Sequence, residues 1–216
     1  MAYGARFIND SGIVQIDGSF QNLSLALRQS FAIDQNNRVS ISLANCISPI
    51  FCISSDSVAV GIVYLTFVNN TYTWTLGAAG FGIATAYIFD IIQPPRSSSY
   101  GLSIRNASGV EVFNGSTRPC KVVAALNVPF ENIRGHQNSY SLGLPVGQYA
   151  VALNVPRLTG VSNASDSGYT DGVQTYPDSV VVQHNIRVGN YSAACTGFVN
   201  SFSKPNLALV LDVTGI

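Results

Sequence analysis

Tyr3-Gly4-Ala5-Arg6-Phe7-Ile8-Asn9-Asp10-Ser11-Gly12 returns 97 residues later as Tyr100-Gly101-Leu102-Ser103-Ile104-Arg105-Asn106-Ala107-Ser108-Gly109. Tyr, Gly, Asn, Ser and Gly fall on their like. The correspondence runs on through Ile13-Val14-Gln15-Ile16-Asp17-Gly18-Ser19 over Val110-Glu111-Val112-Phe113-Asn114-Gly115-Ser116, and Leu23-Ser24-Leu25 then meets Cys120-Lys121-Val122 without a gap. Chance rarely keeps glycines, turn residues and apolar alternation together, so a duplicated element is expected. Each copy reads as a hairpin: a short strand, a turn of Asn, Ser and Gly, and a second alternating strand. Gly12 and Gly109 would supply the positive φ such turns need.

Outward from the copies, strand signals continue. Arg38-Val39-Ser40-Ile41-Ser42-Leu43 alternates strictly, and Val58 to Phe67 and Tyr72 to Leu76 read as paired strands around Val68-Asn69-Asn70-Thr71. Gly80 to Phe89, Tyr140 to Leu144, Gln148 to Val155, Ser179 to Val188 and Leu207 to Val213 read the same way. No stretch shows sustained helical periodicity with caps, so an all-β fold is expected. Gln93-Pro94-Pro95-Arg96-Ser97-Ser98-Ser99 divides the copies, since proline lacks a ladder donor and serine adds little to a core. It sets two expected domains, 1–96 and 97–216. These are either two related antiparallel sandwiches or one composite sandwich, because paired hairpins can share a sheet.

Composition narrows the function classes. Only 10% of the 216 residues are charged, with eleven basic against eleven acidic. That balance removes the positive field that drives nucleic-acid or anionic-membrane binding. The surface is left to Ser, Asn, Thr, Gln and Gly, which favours assembly. Met1-Ala2-Tyr3-Gly4-Ala5-Arg6 lacks a secretory pattern, and Leu76 to Phe89 is too short for a membrane helix, so synthesis in a cytosol without membrane insertion is expected. Cys46, Cys52, Cys120 and Cys195 are then read as buried thiols.

Catalytic patterns are missing from the sequence. No Gly-x-Ser-x-Gly elbow occurs, and His136 and His184 have no local partner pattern. Cys46 and Cys52 are spaced too widely for a zinc knuckle. Gly77-Ala78-Ala79-Gly80-Phe81-Gly82 lacks the Lys-Ser or Lys-Thr of a phosphate loop, and its glycines are read as permitting a bulge or close packing. Neither enzyme activity, metal nor cofactor is expected. Trp74, Tyr64, Tyr72, Phe81, Tyr87 and Phe89 are read as core aromatics. Thr159 to Gly172 is the longest polar, glycine-punctuated run and reads as a loop. Asp166, Tyr169, Asp171 and Tyr176 are the candidate contacts for a receptor or partner.

The opening Met1 to Asp17, with its Tyr-Gly strand, Asn-Asp-Ser-Gly turn and strand ending in Asp17, resembles the N-terminus of small tail proteins of bacteriophages and prophages. The resemblance covers about twenty residues, and the Tyr100 copy departs from the usual single occurrence. It implies a virion component at the tail tip, baseplate or fibre, made in the host cytoplasm. Such a protein binds other tail proteins and copies of itself and performs no catalysis. The alternative is a receptor-binding adhesin of the tail that recognises a surface glycan or pilus, with Thr159 to Gly172 and Pro129 to Ser139 as contact loops. A hydrolase built on Asp166 and Asp171 ranks last.

Overall fold

The computed structural model describes residues 7–8, 14–16, 22–91, 102–129, 137–153, 158–161, 167–190 and 206–216. These form strands and turns with no helix, as expected of an all-β chain, and strands are numbered in chain order. Two short hairpins stand apart, β1 (Phe7–Ile8) with β2 (Val14–Ile16) and β9 (Ser103–Arg105) with β10 (Glu111–Asn114). The remaining strands form two antiparallel sheets packed as a sandwich. Sheet I contains β3 (Ser24–Ile33), β5 (Ile50–Ser54), β8 (Gly82–Asp90), β11 (Val122–Val128), β13 (Tyr149–Leu153) and β17 (Asn206–Asp212). Sheet II contains β4 (Val39–Ala44), β6 (Val60–Val68), β7 (Thr71–Ala78), β12 (Gln137–Ser141), β15 (Ser167–Thr175) and β16 (Ser179–Asn190), and β14 (Leu158–Val161) pairs with β15 outside that path.

The two hairpins agree in detail. Phe7 pairs with Ile16 and Ile8 with Val14, while Ile104 pairs with Phe113 and Arg105 with Glu111, each partner 97 positions from its counterpart. Both ladders therefore skip one residue at the same place, Gln15 in the first and Val112 in the second. Gly109 adopts φ +79°, as its turn requires, and Asn106 Oδ1 accepts from the Ser108 and Val110 amides. The first turn lies outside the described residues.

Sheet order extends the repeat beyond the hairpins. Sheet I runs β3-β8-β5-β13-β17-β11 and sheet II runs β4-β7-β6-β15-β16-β12. Read inward from either edge, each sheet meets the same elements: β3 answers to β11, β8 to β17 and β5 to β13, then β4 to β12, β7 to β16 and β6 to β15. The β3 ladder skips Ala26 and the β11 ladder skips Val123, again 97 apart. Among the described strands, only β14 lacks a counterpart. Strands from both sides of residue 96 share both sheets, so the composite sandwich is the arrangement present.

The halves join through Val151 opposite Ile53 in sheet I and Val173 opposite Val60 in sheet II. Gly61 lies at this seam, where a Cβ would stand 2.0 Å from the Asp171 carbonyl oxygen. Thr175 ties the sheets together. Its amide donates to the Ser55 carbonyl at 2.7 Å and its hydroxyl accepts from the Ser55 amide at 3.0 Å. The inter-sheet core includes Ile41, Ile53, Val60, Leu76, Ile88, Val151, Val173 and Val210. A smaller cluster of Cys52, Tyr87, Phe89, Ala150, Ala152, Leu211 and Val213 packs against Leu23, Leu25 and Cys120. This explains why the middle strands of sheet I are apolar at consecutive positions: both faces are covered.

Three sequence expectations change. Ser24–Ile33 and Ile50–Ser54 are strands that the alternation did not mark. Thr159 to Gly172 is largely a hairpin, with Val161 opposite Ser167 and Leu158 opposite Thr170; residues 162–166 lie outside the described set. Tyr64 and Phe81 are exposed, at 53% and 78%, whereas Trp74, Tyr87 and Phe89 are buried as expected.

Candidate interaction surface

The described candidate contacts are spread along β15 and the turn that follows it. Asp166 lies outside the described residues. Tyr169 stands in β15 between Thr159 of β14 and Arg187 of β16 in the ladder, and Tyr176 follows the same strand, seven residues on. At strand rise that separation is about 23 Å. Tyr176 sits in the β15–β16 turn, where its amide donates to the Ser179 carbonyl, and remains partly exposed. Asp171 is 1% exposed and faces no solvent. Its burial follows from the seam: β6 lies against β15 there, closely enough to require Gly61.

A different feature stands out, the outer half of the β6–β7 hairpin. Asn69 and Asn70 take φ of 50° and 59°, the pairing of a tight two-residue turn whose twist matches that of the strands. Along β6, Val60 to Val63 are buried while every residue from Tyr64 to Val68 is exposed. Since neighbouring residues point to opposite faces, both faces of this segment are largely open to solvent. Tyr64, Leu65, Phe67 and Val68 are 51–63% exposed.

An aromatic row connects this arm to the core. Phe67 lies 4.5 Å from Tyr72, Tyr72 5.6 Å from Trp74, and Trp74 4.9 Å from Phe51 of the opposite sheet, by ring centroids. The last two contacts are stacked, an arrangement that stabilises by roughly 1 kcal/mol beyond burial. Hydroxyls occupy the other face: Ser42 and Thr73 bond at 2.8 Å, Ser40 and Thr75 at 3.1 Å. Beneath the arm, Leu65, Trp74, Phe51, Leu153 and Leu207 line an apolar cleft between the sheets of about 280 Å³.

Burial pushes the thiols of Cys46 and Cys120 up to about 11 and that of Cys52 well above its ordinary value, so all three are protonated at neutral pH. Cys52 is buried as expected, but Cys46 and Cys120 are only half-buried, and no disulfide joins the described cysteines. Among the described residues, no three His, Cys, Asp or Glu side chains gather as metal ligands, and no helix is long and apolar enough to cross a membrane. Gly77 and Gly82 serve close packing, their Cβ positions being filled by Arg38 and Val58. Comparison with protein-family models, curated proteins and solved structures finds no match.

Proposed function

We propose that this chain is a structural component of a bacteriophage virion, at the tail tip, baseplate or fibre, acting through protein contacts. The observation that carries the reading is the hairpin at the entrance to each half, with the same register and the same skipped residue. Two strands of two to four residues are marginal in isolation. A form kept twice, bulge included, is therefore a docking element whose geometry matters, and its first copy carries the tail-protein resemblance.

The second hairpin is seated by backbone bonds. The Asn22 amide donates to Val112, the Leu25 amide to Arg118 and the Cys120 amide to Leu23. A sparsely charged surface and an exposed apolar arm suit a subunit that buries area against neighbours in an assembly.

Gold-conjugated antibody against the chain, applied to phage particles and viewed by electron microscopy, tests the proposal. Label at the tail end is the expected result. Particles without label would overturn it.

A further inference from the structure

The exposed segment Tyr64–Val68 owes its free edge to β14. β6 meets β15 at Val60 opposite Val173, and continuing that antiparallel ladder would set Leu65 opposite Gly168. Gly168 is instead paired with Gly160 of β14, the one described strand without a counterpart in the other half. Among the described residues, none pairs with Tyr64–Val68 on the side away from β7. An unpaired edge presents a row of amides and carbonyls that an extended strand satisfies.

We propose that this edge pairs antiparallel with the same segment of a second copy of the chain, centred on Thr66, to form a symmetric dimer. The edge is continuous with the seam between the halves, where β6 already lies antiparallel to its own counterpart, β15. A second copy offers the same geometry without β14 in the way. The segment is also self-complementary: antiparallel pairing about Thr66 places Tyr64 opposite Val68 and Leu65 opposite Phe67. Aromatic and β-branched neighbours of this kind are favourable cross-strand pairs.

Charge points to the same occupant. No Lys, Arg, Asp, Glu or His occurs from Ser57 to Phe89. Edge strands that stay single commonly carry charge, lysine above all. Three of the four outer strands on the two sheet paths follow that rule, since β3 contains exposed Arg28, β4 follows Arg38 and β11 follows Lys121, while β12 is uncharged. The Tyr64–Val68 edge carries neither charge nor proline, and identical uncharged strands meet without repulsion.

This inference deepens the self-association in the proposed virion role but is measured on the purified full-length chain, so either can fail alone. Sedimentation should show a concentration-dependent dimer, and replacing Leu65 and Phe67 together by lysine should weaken it by about a hundredfold or more. Thr66→Cys places one thiol at the symmetry centre and should cross-link to a dimer on mild oxidation. Gln29→Cys on the β3 edge and the wild-type chain should not. A wild-type chain that stays monomeric would overturn the proposal in favour of a foreign strand. A dimer indifferent to the lysines, or cross-linking no faster through Thr66→Cys than through Gln29→Cys, would overturn it equally. The Thr66→Cys variant keeps the test decisive should the lysine variant fail to fold.

Discussion

The halves share a strand plan but invest it differently, as the β6–β7 and β15–β16 hairpins make plain. The first turns on Asn69 and Asn70 and projects an arm with both faces exposed. The second turns through Tyr176-Pro177-Asp178, and its first strand is flanked by β14. Where strand pairing aligns Trp74 of β7 with Val182 of β16, the first half stacks aromatics and the second packs an aliphatic side chain. Their final strands diverge as well. Asp90 ends β8 buried, accepting from the Ile47 and Ser48 amides at 2.9 Å and the Ile91 amide at 2.7 Å. Asp212 ends β17 nearer the surface, accepting from Lys121 Nζ at 2.7 Å and the Thr214 amide at 3.0 Å. A repeated backbone plan thus tolerates different side-chain solutions, provided each copy satisfies its own buried groups.

The largest test of this contrast is at the aligned core positions. Trp74→Ala should lower unfolding free energy by about 4 kcal/mol, through lost burial and a cavity facing Phe51. Val182→Ala should cost only about 2 kcal/mol. Urea titration of both variants checks the ratio, and equal losses would mean the aromatic row adds nothing to the first half.

Next in size is the seam. Gly61→Ala drives a methyl group into the Asp171 carbonyl and should cost roughly 3 kcal/mol, because backbone cannot move aside as a side-chain tip can. If the halves are one cooperative unit, the denaturation curve should shift while keeping a single transition. Two transitions would reveal halves that unfold separately.

Asp90→Ala should cost about 2 kcal/mol by leaving amides of the Ile47–Ser48 loop unsatisfied, with Asp90→Asn recovering part of the loss. Thermal unfolding of the pair separates these effects. Smallest is Asp212, whose carboxyl is held at about 2, chiefly by the Lys121 hydrogen bond and then by Thr214. A lowered folded value means that its contribution is complete above the ordinary carboxylate range and is lost as pH falls through about 2. Asp212→Asn should therefore lower stability slightly at pH 7 and by progressively less as pH falls toward 2, which flattens the acid limb by the same small amount, as expected of a pair whose lysine is exposed.

Much of the strand plan was legible because the relevant signals are local. Strict alternation marked β4, and Asn69-Asn70 between apolar runs marked the β6–β7 hairpin. The spacing of 97 marked the paired hairpins, though it hid how far the repeat extends: insertions after β12 change the spacing, and sheet order, not identity, carries the remaining match. β5 was missed because burial on both faces erases alternation. The segment 159–172 was misread because its glycines and hydroxyl residues lie in strands held by a partner ladder.

The candidate contacts show the same limit. Asp171 is polar and flanked by glycine, which in sequence reads as surface, yet β6 buries it. Tyr64 reads as core, yet β14 occupies the edge that would have paired with its strand. By itself the sequence determined the β character, the duplicated hairpins and their turns, because backbone preference and apolar period act over a few residues. Only the tertiary structure decided that the halves merge into one sandwich and which strand edge stays open, because pairing between distant strands depends on which competitor reaches an edge.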